Sequence, residues 1–353
     1  METPEGLVYV NDEEPGIARR RAGKGFSYRG MDGKPIRDKS TLSRIRSLVI
    51  PPAWTGVWIC PDPAGHIQAT GRDAKGRKQY RYHPAFRQSR ENAKFSHMLA
   101  FAKALPILRD RIQADMGRRG LPREKVLATI VHLLEATLIR VGNADYARQN
   151  RSFGLTTLRD RHVAVEGTSL RFRFKGKSGR EWNLGFRDRR VSAIVRRCQE
   201  LPGQQLFQYL DEEGTRQRVT SSDVNAYLRD VTGQDITAKD FRTWAGTVLA
   251  AMALREFDAI DSQAQAKRNI KTAIEHVAGR LGNTVTICRK CYIHPEILTA
   301  YSSGEPFLPH VTEQVEQALR DHLPALRPEE AAVLALLRGR LRQAQKDRRR
   351  EPA

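Results

Sequence analysis

The sequence predicts an α+β protein, with a small N-terminal β-rich domain over residues 1–92 and a larger, mainly α-helical domain over 93–353 that carries a small antiparallel sheet. Three observations predict it. About the first ninety residues are rich in Gly and Pro between short apolar or aromatic runs, the pattern of short strands separated by turns. From Lys94 onward the apolar residues recur at helical spacing over long segments. Within that helical part, RHVAVEG, SLRFRFKG and REWNLGF read as strands joined by turn residues at EGTS and GKSG.

In chain order, LVYV (7–10), GFSYRG (25–30), SLVI (47–50) and GVWIC (56–60) are the expected N-terminal strands. The next stretch, ATGRDAKGRKQYRYHPAFRQSRENAK, interleaves basic and aromatic residues. In a strand, Tyr80 and Tyr82 share one face and Arg81 takes the other. The texture changes near 92–95. KFSHMLAFAKALPILRDRI and LPREKVLATIVHLLEATLIRV follow as helices, and Pro122 suits a first helical turn. After the sheet, helices are expected over 188–199 and 221–230, from Thr237 with its capping-box-like T-A-K-D, and over 262–281. The segment 328–350 has the Leu and Ala of a helix and ends in the basic KDRRR, which reads as a solvated face or as a phosphate contact.

The chain has 353 residues, long enough for two domains with cores of their own, and 61 Lys+Arg against 40 Asp+Glu give it a formal charge of +21. Such an excess points to a polyanionic partner. No stretch approaches the roughly 20 apolar residues of a membrane span. METPEGLVYVNDEEPG lacks the charged-then-apolar order of a signal peptide, so the expected location is the cytoplasm. Cys60, Cys198, Cys288 and Cys291 are too few and scattered for a disulfide framework. Cys288-Arg-Lys-Cys291 has the spacing of half a zinc site, but no second CxxC or close His pair completes it. There is no GxxxxGK[ST] phosphate loop and no obvious carboxylate cluster for Mg²⁺, so no cofactor or metal is expected.

Four separated segments carry candidate chemistry: LIRVGNADY (138–146), FKGKSG (174–179), KDFRTW (239–244) and LGNTVTICRKCY (281–292). Phosphodiester cleavage by in-line attack needs a nucleophile, neutralisation of the non-bridging oxygens and a proton for the departing oxygen. Without a metal, arginine can do the neutralising, since it stays charged and forks two hydrogen bonds to phosphate. In order and content the four segments resemble the catalytic domain of type IB DNA topoisomerases, especially the compact poxvirus-like bacterial enzymes.

That resemblance implies the tyrosine recombinase/topoisomerase IB catalytic fold and relaxation of supercoiled double-stranded DNA without ATP or metal. It matches Arg140 and Arg242 to the arginines that grip the phosphate, Lys177 to the acid for the 5′ oxygen, and Tyr292 to the nucleophile that becomes a 3′ phosphotyrosine. Asn283 stands where many relatives carry histidine; it can donate a neutral hydrogen bond but no charge. The resemblance further implies DNA contacts at Gln79, Tyr80, Tyr82 and Tyr146, and a monomer closing two lobes around duplex DNA at the nucleoid. A tyrosine recombinase or integrase is the nearest alternative, but that group usually has histidine three residues before the second arginine, where this chain has Lys239. A DNA-binding protein that has lost catalysis is the other.

Overall fold

The computed structural model describes residues 6–23, 25–257, 262–303 and 326–350, without the side chains of 88, 90–96 and 344–350; the KDRRR side chains therefore lie outside the described residues. The chain divides into two compact units, Met1–Ser96 and His97–Ala353.

The N-terminal unit is built on a five-stranded antiparallel sheet in the order β2-β1-β3-β4-β5, with β1 Ile17–Ala22, β2 Gly25–Arg29, β3 Thr55–Ile59, β4 Ile67–Arg72 and β5 Lys78–Tyr82. Helix α1, Lys39–Ser47, adds Ile45 to a core of Ile17, Val57, Ile59 and Ala69. Two of the expected strands are absent. LVYV makes only an isolated bridge from Val8 to Gly65. SLVI is the end of α1 and its exit, because Asp38 caps the start of that helix and Val49 turns the chain at φ 48°.

Conversely, β1 is IARRRA, whose three arginines hide a strand. Ile17 faces the core, and Arg19 is half-buried because its guanidinium donates to the carbonyls of Pro51 at 3.1 Å and Trp54 at 2.6 Å. A buried guanidinium is tolerated when its donors are satisfied in this way.

The larger unit is mainly helical. Helix α2 runs over Pro84–Met116, starting ten residues before the expected change of texture, and α3 over Arg123–Thr137, with Pro122 at its N-cap. A short α4, Ala144–Asn150, precedes the three-stranded sheet β6 Val163–Glu166, β7 Ser169–Lys175 and β8 Glu181–Arg187. In β7 the period of two is plain: Leu170, Phe172 and Phe174 are buried while Arg171, Arg173 and Lys175 are exposed.

Then come α5 Arg189–Gln199, a small hairpin of β9 Gln208–Leu210 and β10 Arg216–Arg218, α6 Ser221–Thr232 and α7 Ala238–Arg255. Three-residue strands are too short to show alternation, and this hairpin was not expected. Helices α8 Gln263–Leu281, α9 Val285–Cys291, α10 Pro295–Ser302 and α11 Pro328–Arg350 complete the unit. Helix α7 packs on α3, α8 and α11. Phe241 of α7 meets Phe101 of α2 edge-on at 5.0 Å, beside the fully buried Leu127, Ile130, Leu133 and Leu134 of α3. No helix among the described residues is long and apolar enough to cross a membrane.

Candidate active site

Arg242 organises the site. It lies in the second turn of α7, a helix begun where Asp240 accepts from the backbone N–H and hydroxyl of Thr237 at 2.8 and 2.9 Å. Its side chain is 3% exposed and donates to two backbone carbonyls, Leu138 and Leu281, the latter at 2.6 Å. Both carbonyls belong to helix C-termini, α3 and α8, where the last C=O groups lack helical partners and the helix dipole is negative. One guanidinium therefore ties together the ends of two helices. The segments that leave those ends carry Arg140 and Asn283.

The strand-like exit after α3 begins at Leu138, at φ 58°, and runs against residues 154–157. Glycine makes this approach possible. A Cβ on Gly154 would stand 2.5 Å from the Arg140 carbonyl oxygen, and one on Gly142, at φ +104°, would meet Thr156 Oγ1 at 2.9 Å. Arg140 then donates from Nη2 to Asn283 Oδ1. A guanidinium has no acceptor, so this bond fixes the amide orientation and leaves Asn283 Nδ2 as a buried donor without a protein partner. Arg242 Nε is a second such donor.

Tyr292 ends α9, with Arg242 Cζ 5.2 Å from its ring centroid. Its main chain is held by α7: Thr247 Oγ1, whose proton goes to the Thr243 carbonyl at 2.9 Å, lies 3.3 Å from the Tyr292 carbonyl and accepts from His294 N at 3.1 Å. Gly246 lies so close that a Cβ there would be 2.6 Å from the Tyr292 oxygen. Lys177 begins the turn between β7 and β8, exposed, with Nζ 5.7 Å from the ring centroid of Tyr146 on α4.

Arg140, Tyr146, Lys177, Lys239, Arg242 and Tyr292 all line one open cavity of about 400 Å³. A larger recess of about 800 Å³ shares Asn143 and Phe153 with it and is lined by Arg148, Arg159 and Arg218. Burial, and then repulsion from Arg140, pulls the Arg242 guanidinium down to about 10. Burial likewise lowers Arg140, and the Tyr292 phenol opposes both shifts by charge and hydrogen bonding. Two desolvated cations side by side, with unsatisfied donors, favour an anion between them.

The structure thus brings Arg140, Lys177, Arg242 and Tyr292 around one space and joins Asn283 to Arg140. Gln79, Tyr80 and Tyr82 are residues of the N-terminal unit, on β5. Tyr80 and Tyr82 are exposed and stacked, with centroids 5.8 Å apart and planes at 8°. Gln79 is on the opposite strand face, its amide donating to Asp73 at 3.0 Å. Cys288 is buried and Cys291 half-buried, and among the described residues no three His, Cys, Asp or Glu are grouped to hold a metal. Gly246 and Thr247 were not singled out in the sequence; GT within an ordinary helical run carries no signal until the partner segment is known.

Comparisons with known proteins show the family. Residues 83–318 match the family model "Eukaryotic DNA topoisomerase I, catalytic core", and 25–73 match "Bacterial DNA topoisomerase IB, N-terminal domain". The DNA topoisomerase 1B of Acanthamoeba polyphaga mimivirus is 33% identical over 299 residues, covering 83% of this chain and 89% of that one. The DNA topoisomerase 1 of Rabbit fibroma virus (strain Kasza) is 23% identical over 296 residues, covering 78% and 88%. A family match to the catalytic core, joined to a bacterial N-terminal domain match and to a relative aligned over most of both chains, makes this protein a member of the type IB DNA topoisomerase family, an isomerase.

Proposed function

We propose that the protein relaxes supercoiled duplex DNA by cutting one strand through Tyr292, letting the duplex swivel, and resealing it. The observation that carries this reading is the set of cationic and donor groups around the Tyr292 ring: two desolvated guanidiniums, of which Arg242 has an unpaired Nε, and the unpaired Nδ2 of Asn283 on the Arg140 side. A phosphodiester, whose two non-bridging oxygens share one negative charge, is the acceptor such a set fits.

In the step proposed, the Tyr292 phenol oxygen bonds to phosphorus, and its proton passes to solvent. The bond from phosphorus to the 5′ oxygen breaks, and that oxygen takes a proton from the Lys177 ammonium, giving a 5′ hydroxyl and a neutral amine. Arg140 and Arg242 hold the non-bridging oxygens as charge builds, with Asn283 donating beside them. Religation is the reverse: the neutral amine takes the hydroxyl proton as the 5′ oxygen returns to phosphorus and Tyr292 leaves. The phosphotyrosine conserves the bond energy, so ATP is not needed, and the guanidiniums supply the charge that a metal supplies elsewhere.

The recess lined by Arg148, Arg159 and Arg218 suits the passing backbone. The stacked Tyr80–Tyr82 pair and Gln79 are assigned to groove contacts, and Tyr146 to the DNA beside Lys177. The enzyme acts as a monomer on cytoplasmic DNA. The test is capture on a denaturing gel. Wild type leaves a protein–DNA adduct linked through Tyr292 and relaxes plasmid in EDTA, whereas Tyr292→Phe binds DNA and leaves no adduct. Equal relaxation by both proteins refutes the assignment.

A further inference from the structure

The turn that carries Lys177 has little to hold it. Residues 177–180 are all exposed, and two consecutive positions take left-handed backbone, Ser178 at φ 62° and Gly179 at φ 80°. A lysine on such a turn samples many positions unless the turn is fastened elsewhere. The structure shows a fastening at Arg180. Its carbonyl closes the turn by accepting from Gly176 N at 2.7 Å. Its side chain reaches away from the hairpin, and Nη2 donates to the Gly279 carbonyl at 2.7 Å. Gly279 is in the last turn of α8, where its carbonyl accepts a long 3.4 Å bond from Gly282 N and the negative end of the dipole favours a cation.

Two glycines complete the joint. The Arg180 stem lies over Gly282, at φ +64°, where a Cβ would come within 3.1 Å of both Cδ and Nε. The Trp182 indole fills the space between hairpin and loop: a Cβ on Gly282 would meet Trp182 Cζ2 at 3.1 Å, and one on Gly176 would stand 2.7 Å from Trp182 Nε1. Gly282 adjoins Asn283, the partner of Arg140. The hairpin is thus docked on the loop that helps set the phosphate-binding side of the cavity.

We propose that Arg180 is a positioning residue for Lys177, docking the β7–β8 turn onto the C-terminus of α8 so that the Lys177 ammonium is held in reach of the departing 5′ oxygen. This rests on the reading of Lys177 as the acid. The side chain of Arg180 makes its hydrogen bond to protein backbone, so it acts on the proton transfer through Lys177. Arg180 takes part in none of the hydrogen bonds that hold Arg140, Arg242 and the Tyr292 main chain, so those bonds remain when the docking is lost. It lowers the fraction of time in which the ammonium is aligned, and a misplacement of about 1 Å can cost roughly 10² in rate.

The two ideas separate in one experiment. Single-turnover cleavage is measured on duplexes with a normal scissile linkage and with sulfur replacing the bridging 5′ oxygen. A thiolate leaves without help, since a thiol holds its proton far more weakly than an alcohol. Arg180→Ala is expected to slow cleavage of the oxygen linkage by about 10- to 10²-fold, and to cleave the sulfur linkage within about threefold of wild type. Lys177→Ala should show the same rescue from a deeper defect. Arg171→Ala, which removes an equal charge from the exposed face of β7, should match wild type on both.

If Lys177→Ala gains nothing from sulfur, the acid assignment fails, and the Arg180 proposal falls with it. If Lys177→Ala is rescued and Arg180→Ala is not, Arg180 acts elsewhere, and the positioning proposal alone is wrong. An undiminished rate for Arg180→Ala on the oxygen linkage overturns it too, as does an equal loss in Arg171→Ala. Any effect on folding alone slows both linkages alike.

Discussion

Arg242 and Lys177 face the same cavity and are built in opposite ways. Arg242 is 3% exposed, sits in the middle of a packed layer and uses two helix-end carbonyls as fixed supports. Lys177 is exposed, on a turn outside the core, with an aromatic ring 5.7 Å from its nitrogen. The contrast follows from their proposed duties. A group that stabilises charge works best when its position is set before the reaction. A group that gives up and regains a proton needs access to water, even when its turn is fastened in place. Burial that would suit the first task would hinder the second.

Substituting each tests the contrast, and Arg242→Lys should have the larger total effect. An ammonium cannot span the carbonyls of Leu138 and Leu281 as a planar fork does. Cleavage is expected to fall by about 10² to 10³, and an orphaned buried carbonyl costs about 1–3 kcal/mol, read as a lower Tm. Lys177→Ala should also slow cleavage strongly while leaving Tm near wild type. Equal losses of Tm in the two variants would break the comparison.

Gly246→Ala sharpens it from the side of Tyr292. In a helix interior alanine is ordinarily favoured over glycine by about 1 kcal/mol, but here the methyl would press on the Tyr292 carbonyl. The expected outcome is an approximately 10²-fold slower cleavage with DNA affinity unchanged. A wild-type rate would mean that the main chain at Tyr292 yields freely.

The smallest effect concerns acid stability. His162 is buried beside Phe153, at 4.4 Å, and burial, with Arg161 and Arg159 nearby, pushes its imidazole down to about 4 from the usual 6.5. Between those values the unfolded chain binds a proton that the folded chain refuses. Stability contributed by neutral His162 is therefore present above pH 6.5, falls as the pH drops through this window, and is lost below about 4. His162→Asn should show a flatter denaturation midpoint against pH over that range. Parallel curves would remove His162 from the account.

Much of the larger unit was legible because its signals are local. The period of two in β7, the Thr237 start of α7 and the residues 262–281 each specify an element within one window of sequence. The four site segments stood out for another reason: each residue type alone is common in so basic a chain, and only the four together, in order, resemble the type IB topoisomerase catalytic domain. What stayed hidden depends on partners far away in the chain. IARRRA is a strand because Arg19 finds carbonyls more than thirty residues on. SLVI is not one because α1 runs up to Ser47 and Val49 turns the chain. Gly246 and Arg180 have meaning only once Tyr292 and Gly279 lie against them.

The grip of α7 on Tyr292 has a consequence for the proposed swivel. With His294 N bonded to Thr247 and Gly246 packed against the Tyr292 carbonyl, the proposed nucleophile adjusts mainly through its side-chain torsions. A strand attached there is moored to a stationary post. In the proposed mechanism, rotation of the free end then takes place about the bonds of the uncut strand, leaving the broken phosphate parked where the returning hydroxyl can find it.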